Sequence, residues 1–340
     1  MRFPSSVALS LALAASPLCF AATRPHYGGK LRVEMRAAIE TADPPQSGPG
    51  MADLATAFSV TRWEGGRSAS YSAAEDASGG RPYLDSVEIQ MGRSYRDQAI
   101  DLELGRADIV ELGINELRRA GTTPRRIWTS EPVRLLALVF GPQVTDIRIR
   151  EALALAVDRS AIHNVLLQRQ GEIAGSLLPQ WVSGYAFLFP TAADPAKARS
   201  LVASIPPASR TVTLAVEDTD WRFLADRIVL NARDAGLAVS TGTPTGSPDL
   251  RFVELRITST DPAQALVSLA ASLGLPEPQR PTTPDAIFHS ERSYLADFKV
   301  IPLFHLPLSY GVGPRVRGGP GITPLGEWKF ENLWLESSRP

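Results

Sequence analysis

The chain has a single cysteine in 340 residues, Cys19, close to its start. If the first residues are removed near Ala22, no thiol is left, which excludes disulfide staples, thiolate nucleophiles and cysteine-ligated metals. An excess of charge is lacking too: 35 Lys and Arg stand against 36 Asp and Glu, a formal net charge of -1, with no run of either sign. That balance gives no electrostatic case for nucleic acid or an anionic membrane as partner. No apolar run approaches the ~20 residues that a spanning helix needs. The four histidines, His26, His163, His289 and His305, stand apart, and no Cys or His pair has metal-ligand spacing. Gly-x-Ser-x-Gly, His-Glu-x-x-His, P-loop and dinucleotide-glycine patterns are missing as well. No catalytic residue, metal ligand or cofactor site is therefore nominated.

What is present is a chain long enough for two cores, 44% hydrophobic, with 28 prolines and 26 glycines but no repeat. Met1 to Ala22 has the form of a secretory signal: Arg2 gives the positive start, Val7 to Ala15 the apolar core, and Phe20-Ala21-Ala22 a small-residue exit. Pro17 and Leu18 before Cys19 are not the small residues that a lipidation site carries, so the expectation is an exported periplasmic protein without a lipid anchor.

Leu31, Val33 and Met35 alternate as a strand, and Ala57 to Trp63 reads as another. Ser94 caps a helix to Leu104, with Ala99, Ile100 and Leu104 expected inward and Gly105 as its stop. Leu135 to Phe140 is a continuous apolar run suited to a strand covered on both faces. From Arg148 the period of Ile149, Leu153 and Val157 predicts a helix, and Asp158 caps a second that ends near Gly171. A loop follows that is dense in Pro179, Trp181, Gly184, Tyr185, Phe187 and Phe189. Beyond Thr211 strands and helices alternate, with Phe223, Leu224, Ile228 and Leu230 expected inward on the helix from Trp221. Val300 to Pro307 returns as a strand, and Trp328, Phe330, Leu333 and Trp334 pack the tail.

Several of these pieces carry a resemblance. Tyr27-Gly28-Gly29-Lys30-Leu31-Arg32-Val33 with Asp43-Pro44, Gly80-Arg81-Pro82-Tyr83-Leu84-Asp85, Ala107-Asp108-Ile109-Val110, and Arg150-Glu151-Ala152 leading to Asp158-Arg159 are four of them. Leu177-Leu178-Pro179-Gln180-Trp181 and the Trp328 to Trp334 tail complete the set. Together they resemble family 5 extracellular solute-binding proteins, the peptide- and nickel-type receptors of ABC importers. The resemblance implies an α/β, two-lobe fold of the periplasmic-binding-protein type II kind, with a hinge between lobes. Lobe one would comprise residues 27–133 plus 300–340 and lobe two 134–299, after a signal peptide at 1–22. It implies a monomer that captures a small solute, an oligopeptide first among the choices, for an ABC permease, with no cofactor. One departure stands out: the long stretch that the family carries between the matches to Pro44 and Thr56 is nearly absent here.

Six residues are nominated for ligand contact. Trp181 and Tyr185 would wall the cleft, or else pin their loop to lobe two. Asp220 and Trp221 sit with Asp218 at a strand–helix turn where ligands gather in open α/β sheets, although capping preference favours Asp220 as a helix cap. His305 and Tyr310 lie on the return crossover, where His305 would line the cleft or satisfy a core position. The competing readings are a degenerate or repurposed sensor that has lost transport, and an exported hydrolase.

Overall fold

The computed structural model describes residues 24–38, 54–77, 79–120, 126–242, 247–276 and 283–336. The signal segment, the loop at 44–53 and part of the proline-rich stretch after Gly274 lie outside the described residues.

In the first half, β1 (Lys30–Glu34) buries Leu31 and Val33, with Met35 beyond it, and is followed by α1 (Leu54–Ala57), β2 (Phe58–Glu64) and β3 (Ser68–Ala73). Then come β4 (Ser86–Gln90), α2 (Tyr95–Glu103), β5 (Ile109–Glu111), α3 (Ile114–Ala120) and the long β6 (Arg126–Phe140). Ser94 does cap α2, its hydroxyl accepting from Asp97 N at 3.1 Å, and Gly105 stops it with φ 66°. The inward face differs from expectation. Ile100 and Leu104 are 41% and 59% exposed, while Gln98 and Asp101 are buried. The reason is hydrogen bonding: Gln98 donates to Arg93 O at 3.0 Å and accepts from Glu111 N at 2.8 Å, tying α2 to β5. A buried polar side chain with all its partners outcompetes an apolar one at that position.

In the second half, α4 (Ile147–Ala156) leads through Asp158 into α5 (Arg159–Ala161), and one π turn continues it over Ile162–Leu166. Asp158 accepts from Ala161 N at 2.9 Å, which is the cap read from sequence. Gly171 is required by space: a Cβ there would lie 2.1 Å from His305 O. β7 (Glu172–Ile173), α6 (Gln180–Ser183), α7 (Pro195–Ala203) and β8 (Thr211–Val216) follow. Then come α8 (Arg222–Asp234), β9 (Ala238–Gly242), β10 (Leu250–Arg256), α9 (Pro262–Leu273) and α10 (Pro284–Leu295). On α8 the buried positions are Leu224, Ala225, Ile228 and Ala232; Leu230, expected inward, is 45% exposed. The buried stripe runs through the two alanines instead. The chain ends with β11 (Val300–Val312), β12 (Val316–Arg317) and β13 (Trp334–Leu335).

One sheet runs through the molecule in the order β2-β3-β4-β1-β5-β11-β6-β10-β8-β9, with β7 on β11. At one end β1 pairs parallel with β4 and β5; at the other β8 pairs parallel with β9 and β10. The antiparallel pair β6 and β11 joins the two ends. Around it, among the described residues, lie two large cores and two small clusters. One large core holds Leu31, Val33, Ile89, Ile109, Tyr310 and Trp328; the other holds Leu135 to Phe140, Leu214, Phe252, Leu303 and Phe304. Each fully buried Leu or Phe side chain contributes about 2 kcal/mol to its core. The change of core along β11 falls between Leu306 and Tyr310, where Pro307 pairs with Pro132 and the register shifts. Val300 to Leu306 therefore pack with the second core, later along the chain than the lobe boundary expected at residue 300. Prolines facing each other remove ladder donors, which weakens the pairing of the two strands at this point.

Candidate functional site

The parallel strands of each half end at a shared cleft. From the first half, Arg36 follows β1, Arg93 to Tyr95 follow β4, and Glu111 closes β5; from the second, Glu217 and Asp218 follow β8 and Glu254 to Arg256 close β10. Carboxyl ends of parallel strands are where open α/β sheets gather ligand groups. Two adjoining cavities result, of about 650 and 710 Å³, and both are lined by Arg36, Ser94, Tyr95, Arg134, Asp218, Trp221 and Glu254.

Arg36 spans the cleft. Its Nη1 and Nη2 meet the two Asp218 oxygens at 2.8 Å each, its Nε lies 3.0 Å from Asp220 Oδ2, and its guanidinium sits 5.3 Å from the Tyr95 ring centroid. Burial by itself would lower the Arg36 pKa, but the Asp218 bond and the two aspartate charges raise it, so the cation is held firmly. The Arg36 backbone N donates to Glu111 Oε2 at 2.5 Å. Burial raises the pKa of Glu111, against the pull of that bond and of nearby arginines.

Asp218 also accepts from Asp220 N at 2.9 Å and so caps the short turn Thr219–Trp221. The cap expected of Asp220 thus falls to Asp218, and the Asp220 carboxyl turns to Arg36; burial raises its pKa, with Asp218 and Glu254 adding to the rise. Trp221 is 5% exposed, donates Nε1–H to Glu254 Oε2 at 2.6 Å, and stands under the Arg134 guanidinium at 5.8 Å. Glu254 Oε1 in turn accepts from Arg134 Nη1 at 3.3 Å.

The structure brings two of the six nominated residues, Asp220 and Trp221, to this cleft. The other four lie outside its lining. Trp181 donates Nε1–H to Pro132 O at 2.9 Å and braces α6 on the crossover. Tyr185 donates to Glu291 Oε2 at 2.7 Å and meets Phe288 edge-on, holding its loop on α10. His305 is buried, with Nε2 3.0 Å from Leu177 O and Nδ1 3.4 Å from Glu172. Tyr310 is buried in the first core, donating to Gly326 O at 3.0 Å. Arg36, Tyr95, Glu111, Arg134, Glu254 and Arg256 were not nominated. The signal for most of them was position at a strand's carboxyl end, a rule applied only to the second half. Among the described residues no group of three His, Cys, Asp or Glu could hold a metal ion, and no helix is long and apolar enough to cross a membrane.

Two lobes on crossing strands, with a cleft at the strand ends, define a bilobal α/β binding protein. The profile of the bacterial extracellular solute-binding proteins, family 5 (middle region), matches residues 41–279, and the chain belongs to that family. Its members are binding proteins, not enzymes. No curated protein sequence matches the chain. Among solved structures it is similar to the ABC transporter substrate-binding protein CtaP of Listeria monocytogenes, with TM-score 0.68 and 15% identity over 82% of this chain and 66% of that one. It is similar to the oligopeptide-binding protein AppA of Bacillus subtilis, solved with a nonapeptide, with TM-score 0.63, 16% identity, and coverage of 82% and 66%. NikA of Staphylococcus aureus, solved with Ni(L-His)2, gives TM-score 0.68, 14% identity, and coverage of 82% and 68%. These likenesses define the fold as the two-lobe type II periplasmic-binding-protein architecture. The chain spans only 66% of the length of the first two, in keeping with the stretch that its sequence lacks after Pro44.

Proposed function

We propose that the protein is exported to the periplasm, where as a monomer it captures a small solute, an oligopeptide, in the interlobe cleft and delivers it to an ABC permease. The observation that carries this reading is a cavity of about 650 Å³ lined by Tyr95 and Arg36 from one lobe and by Trp221 and Glu254 from the other. Ligand pockets run to about 300–1,000 Å³, so the space suits a short peptide. The lining suits one chemically. Carboxylates at Asp218, Asp220 and Glu254 and cations at Arg134 and Arg256 complement the two ends of a zwitterion, while Tyr95 and Trp221 add aromatic rings to the lining, each with a guanidinium over one face. Closure about the Pro132–Pro307 region would enclose it, and no covalent chemistry is involved.

The alternative, a degenerate or repurposed sensor, draws on one observation: Arg36 already bridges the lobes by its ion pairs with Asp218 and Asp220. Thermal unfolding with a pool of random tripeptides, a nickel–histidine chelate and a sugar panel separates the two. Solute capture predicts stabilisation by the peptide pool, about 2.7 kcal/mol at a hundredfold excess over Kd, and its loss in Tyr95→Ala. No shift with any probe, in a cooperatively folded protein, would overturn capture.

A further inference from the structure

The segment from Gly171 to Trp181 is tied at both ends to the crossing strands β6 and β11. At its start β7 pairs with β11, Glu172 standing opposite His305, and Ala174 N donates to Leu303 O at 3.1 Å. At its end Trp181 Nε1–H donates to Pro132 O at 2.9 Å. Pro132 faces Pro307, where the chain passes from one core to the other. Neither proline offers a ladder hydrogen, and side chains hold their carbonyls: Trp181 donates to Pro132 O, and Arg134 Nη2 to Pro307 O at 2.8 Å. The segment is thus a strap fixed to the point about which the lobes would turn.

His305 holds this strap with both ring nitrogens on acceptors. The residue is 1% exposed, with Nε2 3.0 Å from Leu177 O and Nδ1 3.4 Å from Glu172 Oε1. Neither a carbonyl nor an ionised carboxylate can donate, and a neutral imidazole has only one N–H. Both contacts are made together only when both nitrogens carry hydrogen. Glu172 answers as an anion: the His305 bond holds its pKa below the usual range, against burial, and Gln180 N at the start of α6 also donates to it. One carboxylate therefore links the imidazole to the helical turn that carries Trp181. Two further titratable groups lie around the ring. Glu291 on α10 feels both burial, which raises its pKa, and the His305 charge, which lowers it, but its oxygens already accept from Leu177 N, Leu178 N and the Tyr185 hydroxyl. His163 stacks on Phe304, ring centroids 6.3 Å apart, with Nε2 3.1 Å from Gly171 O.

We propose that His305, carrying both hydrogens, is the positioning residue of a proton-sensitive clamp: through Glu172 and Leu177 O it locks the strap, and with it Trp181, onto the crossover between the lobes. This deepens the solute-capture reading and rests on the lobe closure in it. When the ring loses either hydrogen, one tie goes. Without Nδ1–H, the Glu172 carboxylate loses its counter-charge and with it the hold on Gln180 N. Without Nε2–H, a lone pair faces the lone pairs of Leu177 O. Either loss loosens the turn beneath Trp181 and frees Pro132 O at the point where the ladder lacks donors. Closure then answers to the proton as well as to the solute, and rising pH opens the clamp.

The test uses the full mature chain without ligand, a dye on each lobe to read their separation, and isotope-labelled histidine whose nitrogen resonances report each ring hydrogen. Both are followed from about pH 5 to pH 8, the range in which imidazoles change charge. The clamp predicts two N–H groups on His305 at the acid end. As one is lost, the ratio of closed to open forms should fall about tenfold, the effect of one hydrogen bond to a charged group. Glu172→Gln removes the charge but keeps an amide oxygen for Gln180 N, at a side chain 37% exposed. That variant should be open at every pH and show no step. Trp181→Phe should also show no step in lobe separation while its His305 still titrates. A His305 ring that is neutral at the acid end would overturn the clamp. So would ring titration without a change in lobe separation, or a step that persists in Glu172→Gln; each leaves solute capture standing. A step that is intact in a protein to which the random tripeptide pool does not bind would uphold the clamp and remove the peptide reading.

Discussion

Arg36 and Asp218 meet across the cleft, 182 positions apart in sequence, through two parallel hydrogen bonds of 2.8 Å. Paired forks of this kind are the stronger form of ion pair, and Asp220 adds a third contact at 3.0 Å. These contacts bridge the two lobes directly. Arg36 is about a third exposed, so the contribution is modest, about 1 kcal/mol, or a fivefold shift in the ratio of closed to open forms. Arg36→Ala should enlarge the unliganded protein in solution scattering, and raising salt to about 1 M should do the same to the parent. A parent already as extended as the variant would show that the contact does not hold the lobes.

Tyr185 is placed as a brace. Glu291 is fully buried and accepts from the Tyr185 hydroxyl, from Leu178 N at 2.8 Å and from Leu177 N. Removing the hydroxyl leaves a buried carboxylate short of one donor. Tyr185→Phe should cost about 1–2 kcal/mol in denaturant unfolding while leaving ligand affinity unchanged. A selective loss of affinity at unchanged stability would instead place Tyr185 in the ligand's path.

Asp108 ties the start of the chain to its end. Its carboxylate, almost wholly buried, accepts from Arg32 N at 2.9 Å, Arg32 Nε at 3.0 Å, and Arg315 Nε and Nη2 at 2.6 and 2.7 Å. Burial raises its pKa, but the bonds from Arg315 and Arg32 outweigh that and hold it below the usual value. A depressed pKa means stability that is present above the unfolded value and lost as pH falls through the folded one. Asp108→Asn should cost about 3–5 kcal/mol at neutral pH, since it leaves two arginines facing a neutral amide. A cost under about 1 kcal/mol would show that solvent already satisfies them.

Glu34 has the opposite sign. Burial, and then the Asp101 charge beside it, raise its pKa from the usual 4.5 to about 7, against the pull of Arg93. A raised acid pKa favours the protonated form in the fold, so its stabilisation is complete below the unfolded value and disappears as pH rises through about 7. Relative to Glu34→Gln, the parent should lose stability between pH 5 and pH 8, read as urea midpoints at the two values. A constant difference between the two proteins would contradict the shift.

Much of the fold was legible in the residues. The alternation of Leu31, Val33 and Met35, the unbroken Leu135 to Phe140 run, and the Ser94 and Asp158 caps are local signals, and each lands where its period or cap chemistry puts it. The α2 face was misread because apolar spacing says nothing about Gln98, whose partners lie on Arg93 and Glu111. The helix α10 went unread because Pro284 to Leu295 mixes charge and aromatics without a clean stripe. The cleft was half legible. Asp220 and Trp221 followed from the strand–helix turn, but Arg36 meets Asp218 as an ion pair across the cleft and Arg134 faces Arg256 through sheet register, each across more than a hundred residues. Aromatic richness drew attention to Trp181 and Tyr185, and aromatics bury as readily in a loop brace as in a binding wall.

The central claim is that the interlobe cleft holds a solute. Native mass spectrometry of the mature protein, purified gently from an exporting host, tests it most directly. The account predicts a co-purifying small mass that is released on mild unfolding and is absent from Tyr95→Ala. A clean unliganded mass for the parent that stays clean after incubation with the random tripeptide pool would contradict it.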